Sequence, residues 1–224
     1  AEASEIIQKR QRQNLNAFRH TIPSIYEQIL SAPKSAKSIL CNKHGQLNIV
    51  DYQSGRVFYD EFPQDEVKAQ VNSFLKKPTI IQNESDDVGE PESEVMVIMG
   101  IGLGHHIASL LEKSTAKHYI IYEPDFALFI CSLSAISWQD ILRLASREKK
   151  AIYLQIGKDG RGIASDLNEL AEHFHFSTVS VFKHYNHPVF DQVMAEISRG
   201  TLQTLSKWYY DQKKASAPLR YTNY

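Results

Sequence analysis

Cysteine is nearly missing. Cys41 and Cys131 are the only two among 224 residues, far apart and in no CxxC spacing. That excludes a disulfide framework and a cysteine-ligated zinc site, and reads both thiols as reduced packing residues. Long apolar runs are also missing: none approaches the roughly 20 residues that cross a bilayer, and the charged opening AEASEIIQKRQRQ is unlike a secretory leader. The expectation is a soluble, cytoplasmic chain that meets no membrane. An excess of one charge is missing too, because 25 Lys and Arg stand against 26 Asp and Glu, a formal charge of −1. Without a basic field nothing draws the chain to nucleic acid. No serine lies in GxSxG, no GxxxxGK[ST] occurs and no histidine pair has HExxH spacing, so the usual hydrolase, nucleotidase and metalloprotease signatures are absent and no catalytic residue can be named.

What is present is 42% hydrophobic content, enough at this length for a sizeable core in one large domain or one domain with an appendage. The expected organisation is a small α+β region over 1–82, an acidic linker over 83–94 and an α/β domain over 95–224. From Ser4 to about Thr21 few breakers occur and Ile7, Leu15 and Phe18 form a loose helical stripe, with Arg10, Arg12 and Arg19 among the polar positions. A mostly solvated helix is predicted there. Pro23 opens a second short helix, PSIYEQIL. SILCN, LNIVDY and SGRVFY, separated by NKHG and a Ser-Gly turn, predict a three-stranded antiparallel meander. Val67, Val71, Phe74 and Leu75 then mark a helix over 65–76.

The segment NESDDVGEPESE at 83–94 holds six acids and almost nothing apolar, so it cannot pack and reads as an exposed linker. After it, strand and helix alternate: VMVIM, a helix from Gly104, HYIIY, a helix from Asp125, AIYLQI, a helix from Asp159, TVSVF and a long last helix carrying Phe190, Val193, Ile197, Leu205 and Trp208. Such alternation predicts a Rossmann-like, mostly parallel sheet with helices on both faces. In that architecture ligands gather outside the carboxyl ends of the strands, here Gly100 to His105, Glu123 to Asp125, Gly157 to Gly160 and Lys183 to His187.

Glycine is scarce, ten in all, yet three stand at Gly100, Gly102 and Gly104 on the first strand-to-helix turn. Glycine there permits positive φ and lets a ligand reach the amides at a helix start. Glu123 follows Gly104 by nineteen positions at the end of the next strand, where an acidic side chain commonly accepts from a ribose. His105 and His106 open the helix and could donate to a phosphate, and Asp125 closes the second loop. One reading of Gly100, Gly102, Gly104, His105, His106, Glu123 and Asp125 is therefore a site for a nucleoside-shaped ligand, a nucleotide or S-adenosylmethionine. The other is that the glycines only permit a tight turn, that one histidine packs, and that Glu123 caps the helix beginning near Pro124. No cofactor is certain. HFHF at 173–176 and HYNH at 184–187 invite a metal, but His173 and His175 are two apart and point to different faces of a helix, so none is expected.

The run VMVIMGIGLGHHIASLLEKSTAKHYIIYEPDFALFICSL resembles the amino-terminal part of the motility accessory factor family, related to a pterin pyrophosphokinase. That family has an apolar strand, a GxGLGYHL-like turn, a strand ending in an (I/V)EPD-like element and an aromatic-rich helix. Gly100, Gly102, Leu103, Gly104, His106, Ile107, Glu123, Pro124, Asp125 and Phe129 follow this order, with His105 where Tyr is frequent. NLNAFRHTIPSIYEQI, with Asn14, Phe18, Pro23 and Tyr26, is similar to the family's opening, so the resemblance covers most of the chain. It implies a bacterial role in glycosylating flagellin, in which full-length members transfer a nonulosonic acid from a CMP-activated donor to Ser or Thr. The family's GPSL-like glycine motif occurs nowhere between Ala1 and Tyr224, so the resemblance implies an amino-terminal fragment without the catalytic centre. Its expected partners are a downstream catalytic domain, flagellin and further copies of itself. Two rivals stay open: a methyltransferase-like or other nucleotide-binding domain, for which Glu123 fits but no acceptor motif follows, and an interaction module without a ligand.

Overall fold

The computed structural model describes residues 2–82, 94–174, 176 and 178–201. In chain order the elements are α1 (Glu2–Thr21), α2 (Pro23–Leu30), β1 (Lys37–Cys41), β2 (Leu47–Asp51), β3 (Arg56–Val57), α3 (Pro63–Lys76), β4 (Ile80–Gln82), β5 (Val95–Met99), α4 (His105–Lys113), β6 (His118–Glu123), α5 (Phe126–Ala135), α6 (Trp138–Arg147), β7 (Ala151–Ile156), α7 (Arg161–His173), β8 (Thr178–Lys183) and α8 (Pro188–Glu196), which runs into a π-helical turn, Ile197–Thr201. The expected acidic linker lies outside the described residues except for Glu94, as do His175, Leu205 and Trp208.

The described residues gather into two compact units that interleave along the chain, whereas the sequence-based division is consecutive. One unit lies within Ala1–Lys77, Ile101–Ser114 and Asp125–Ile152, the other within Pro78–Gly100, Thr115–Pro124 and Tyr153–Tyr224. Interleaving arises because α4, α5 and α6 pack with α1 and α3, while the strands that precede them pair with one another.

In the first unit, β1, β2 and β3 form an antiparallel sheet in which Ile39 pairs Ile49 and Val50 pairs Val57. Pro23 and Pro63 sit in the first turns of α2 and α3, where the missing N–H costs nothing. The single helix expected after Asp125 is two helices. Asp125 caps α5 by accepting from Ala127 N at 2.9 Å, and Ser137 caps α6 by accepting from Asp140 N at 3.2 Å. Around the break, Phe18, Phe129 and Trp138 are buried with ring centroids 5.6–5.8 Å apart. The Trp138 indole donates to Ser132 Oγ at 2.9 Å, which satisfies the polar end of the ring.

α1 is mostly exposed, as the sequence reading expects, but three of its polar side chains, Arg10, Gln11 and Asn14, turn inward and bond to the α5–α6 corner. Asn14 is fully buried, donates to the Leu133 and Ile136 carbonyls, each at 2.8 Å, and accepts from Gln139 N at 3.3 Å. Arg10 donates to the Ala135 carbonyl at 2.9 Å and Gln11 to Ser134 Oγ at 2.7 Å. Asn14 and Arg10 thus answer carbonyls that a helix leaves open at its end.

The second unit holds a five-stranded sheet in the order β4-β8-β5-β6-β7. β5 runs parallel to β6 and to β8, with Met99 opposite Tyr122 on one side and Lys183 on the other. β4, absent from the sequence reading, adds an antiparallel edge on β8. The sheet is thus mixed, and the fold is mixed α/β. Every residue of β5 is buried, as a strand with both faces covered requires. Val95, Val97, Met99, Ile120 and Val181 meet Ile163, Leu167, Leu170, Phe190 and Val193 of α7 and α8. Each such side chain stabilises the unit by about 1.5–3 kcal/mol. Strand succession runs one way from β5 through β6 to β7 and resumes on the other side at β8, so the order reverses beside β5.

Candidate functional site

Where the order of a parallel sheet reverses, neighbouring loops part and leave room outside the carboxyl ends of the strands. In the second unit these ends continue the ladder: His184 N donates to the Met99 carbonyl at 2.8 Å, Gly100 N to Tyr122 at 2.7 Å and Gly157 N to Glu123 at 2.8 Å. The Tyr122 hydroxyl donates to the Lys158 carbonyl at 2.8 Å, tying the third loop to the second. Burial and the nearby carboxylates of Asp159 and Glu123 push its phenol up to about 12, so it stays protonated and serves as a donor.

Gly100 and Glu123 come together around a residue the sequence reading passed over. Glu123 is fully buried, and its Oε1 accepts from the Tyr185 hydroxyl at 2.6 Å, the short distance of a charge-assisted bond. Behind that contact the Tyr185 ring lies on Gly100. A Cβ at this glycine, whose φ is +95°, would stand 2.5 Å from Tyr185 Cε1 and 3.3 Å from His184 Cβ. Phe190 holds the ring from another side at a centroid distance of 5.0 Å. The close approach that glycine permits is thus made here by the protein's own phenol. Glu123 is not a helix cap; Asp125 has that role.

Turn amides elsewhere are likewise given to protein acceptors. In the first unit Leu103 N donates to the Tyr59 hydroxyl at 3.0 Å and Gly104 N to the Ile101 carbonyl at 2.7 Å. Gly102 has φ +53°, and Gly104, at φ +84°, is the N-cap of α4. A Cβ at Gly104 would meet Ile136 Cδ1 at 2.5 Å. His106 is fully buried in the first turn of α4. His105 lines a groove of about 810 Å³ with Ala108, Ser137, Asp140 and Leu144. Burial foremost, then the charge of Arg10, holds its pKa below the usual histidine value, which keeps the ring neutral and weakens it as a phosphate partner. Asp125 pairs with Lys37 at 2.8 Å while capping α5.

The HYNH segment, noticed for its imidazoles, serves otherwise. His187 Nδ1 accepts from Val189 N at 3.2 Å and caps α8, and His184 is buried beside Phe182. Among the described residues no three His, Cys, Asp or Glu side chains gather to hold a metal ion. Cys131 is buried, which raises its thiol to about 11, but Cys41 is exposed on β1 and is not the packing residue expected. No single described helix is long and apolar enough to cross a membrane.

Residues 10–90 and 80–206 match the family described as the glycosyltransferase Maf N-terminal domain. Among solved structures, the Maf glycosyltransferase from Magnetospirillum magneticum AMB-1 shares 19% identity and a TM-score of 0.63 over 90% of this chain and 35% of that one, which shows a common fold. This chain therefore spans about a third of that protein. Looser likenesses, TYW2 of M. jannaschii in complex with AdoMet (16% identity, 71% of this chain and 56% of that one, TM-score 0.32) and a putative transferase from Pyrococcus horikoshii (15%, 66% and 51%, 0.29), do not define a fold. None of the curated proteins matches at a significant level.

Proposed function

Since the chain belongs to the family of Maf glycosyltransferase amino-terminal domains, we propose that it serves a flagellin glycosyltransferase as a non-catalytic domain, which supports the catalytic domain, assists oligomerisation or holds the acceptor. The whole enzyme would transfer a nonulosonic acid to Ser or Thr of flagellin in the bacterial cytoplasm. One observation carries the non-catalytic part: Glu123, the residue best placed to accept from a ribose, accepts from Tyr185 instead, and the ring of that tyrosine covers Gly100. A buried carboxylate already bonded at 2.6 Å must lose that partner before a nucleoside can use it. The strand order supports reading the second unit as Rossmann-like, with its switch point filled by the chain itself.

The nucleotide reading is favoured by the same architecture, and Tyr185 separates the two. Calorimetric titration with CMP and S-adenosylmethionine is expected to be silent for the wild-type chain at ligand concentrations up to about 1 mM. CMP binding would assign a donor-site role to Gly100 and Glu123, and S-adenosylmethionine binding would assign a methyltransferase-like one. Silence from Tyr185→Ala as well would leave the scaffold alone standing. Deleting the domain from the full-length enzyme and measuring flagellin modification and assembly state then tests scaffolding directly.

A further inference from the structure

At the other end of the same sheet, the first residue of β6, His118, lies against Phe174 at a ring-centroid distance of 4.4 Å and stacks on Tyr153 of β7 at 6.3 Å. Asp166, Glu169, Leu170 and His173 stand at i, i+3, i+4 and i+7 on α7 and share a face of it. Together with Tyr153 and Phe174 they line a cavity of about 190 Å³. That is smaller than the roughly 300–1,000 Å³ of sites for drug-sized ligands, so it admits a headgroup and excludes a nucleotide.

Apart from His173 and the apolar Leu170, the lining is of one electrostatic kind. Aromatic faces carry negative potential, and two carboxylates stand among them. Among the described residues neither Asp166 nor Glu169 has an ion-pair partner. Gln155 donates to Asp166 Oδ2 at 2.6 Å, a neutral donor where a cation would balance the charge. Burial in the first place holds the Asp166 carboxyl above the usual carboxylate range. The Gln155 hydrogen bond opposes that shift, the Glu169 charge adds to it and Lys158 offsets part of it. His118, kept neutral by burial, adds no positive charge, and its buried Nδ1 has no hydrogen-bond partner among the described residues. A metal ion does not suit walls made of rings, and no three-ligand cluster occurs among the described residues. An organic cation suits them well.

We propose that the pocket of Tyr153, Phe174, Asp166 and Glu169 binds an alkylammonium group, supplied either by a lysine side chain of a protein partner or by a free quaternary amine. It is independent of the role assigned to Gly100 and Glu123, because no residue is shared between the two places.

The test is NMR titration of the chain with butyltrimethylammonium chloride, with butylammonium, and with neutral 3,3-dimethylbutanol as the uncharged shape control, following the His118 and His173 ring resonances. Both cations are expected to shift these signals saturably in the millimolar range while the alcohol leaves them in place. Tyr153→Leu and, separately, Asp166→Asn are expected to weaken binding about tenfold, with circular dichroism checking that each variant folds. Nα-acetyl-lysine amide, with its ε-ammonium free, and choline identify the source by which binds more tightly. No saturable shift up to about 50 mM, an equal response to the alcohol, or unchanged affinity in both folded variants overturns the proposal.

Discussion

Replacing Gly100 by alanine separates two costs that the geometry predicts. The first is conformational: at φ +95° an L-residue is strained by about 1–2 kcal/mol wherever it points. The second is steric. The added Cβ would lie 2.5 and 2.7 Å from two Tyr185 ring carbons, when ordinary carbon contacts are about 3.5–4.0 Å. Relief requires the ring to move by about 1 Å, and the 2.6 Å bond from its hydroxyl to Glu123 and its packing on Phe190 resist that. Overpacking of this kind costs about 1–3 kcal/mol, so Gly100→Ala alone should lose about 2–5 kcal/mol. In a Tyr185→Ala background the conformational part and the milder 3.3 Å contact with His184 Cβ remain, and the coupling between the two substitutions should be about 1–3 kcal/mol in favour of the double variant. Urea unfolding followed by circular dichroism on the four proteins measures it. Additivity within about 0.5 kcal/mol would refute the placement of the Tyr185 ring against Gly100 and, with it, the reading of a self-filled switch point.

Asn14→Ala should cost about 2–4 kcal/mol in the same assay, since it leaves the Leu133 and Ile136 carbonyls and Gln139 N without their buried partner; a loss below about 0.5 kcal/mol would show that α1 is dispensable to the α5–α6 corner. A thiol reagent at neutral pH should modify Cys41 in the native chain and Cys131 only after unfolding, because the latter is buried with its thiol raised to about 11; two fast equivalents would contradict that burial. His105 and His118 are held below the ordinary histidine value, chiefly by burial, so the unfolded chain takes up their protons first. Stability should be full above about pH 6.5 and fall as the pH drops through the depressed folded values, and His105→Leu should flatten part of that slope. A slope unchanged in this variant would place the titration elsewhere.

Residues that repeat with the period of their own element were legible, and residues whose partners lie far along the chain were not. β5 and β6 announce themselves as unbroken apolar runs because both of their faces are covered. α7 does so through Ile163, Leu167 and Leu170 on one side. β4 has three residues and takes its register from Thr178 to Ser180, about a hundred positions on, so nothing local marks it. The inward bonds of Arg10, Gln11 and Asn14 have no local sign, because their acceptors, at 133–136, are exposed only when the helix after Asp125 breaks. The sign of that break was present in Ser137 with Asp140 three residues on, a cap sequence inside an otherwise helical run.

The site was half legible for the same reason. Glycines at 100, 102 and 104 and an acid at 123 mark a turn that admits close approach, and the backbone angles require them. What approaches is a separate matter, decided by a residue 62 positions from Glu123 in a segment that drew notice for histidines. Glycine is needed equally whether the neighbour is a pyrophosphate or a tyrosine ring, because only the missing Cβ is used. An acid at the end of the second strand is equally satisfied by a ribose hydroxyl or a phenol, because it needs only an O–H donor. A glycine-rich turn followed by an acid therefore specifies a shape and a hydrogen-bond acceptor. The identity of the occupant rests on whether the loop after the fourth parallel strand delivers a side chain of the right length, and here Tyr185 does.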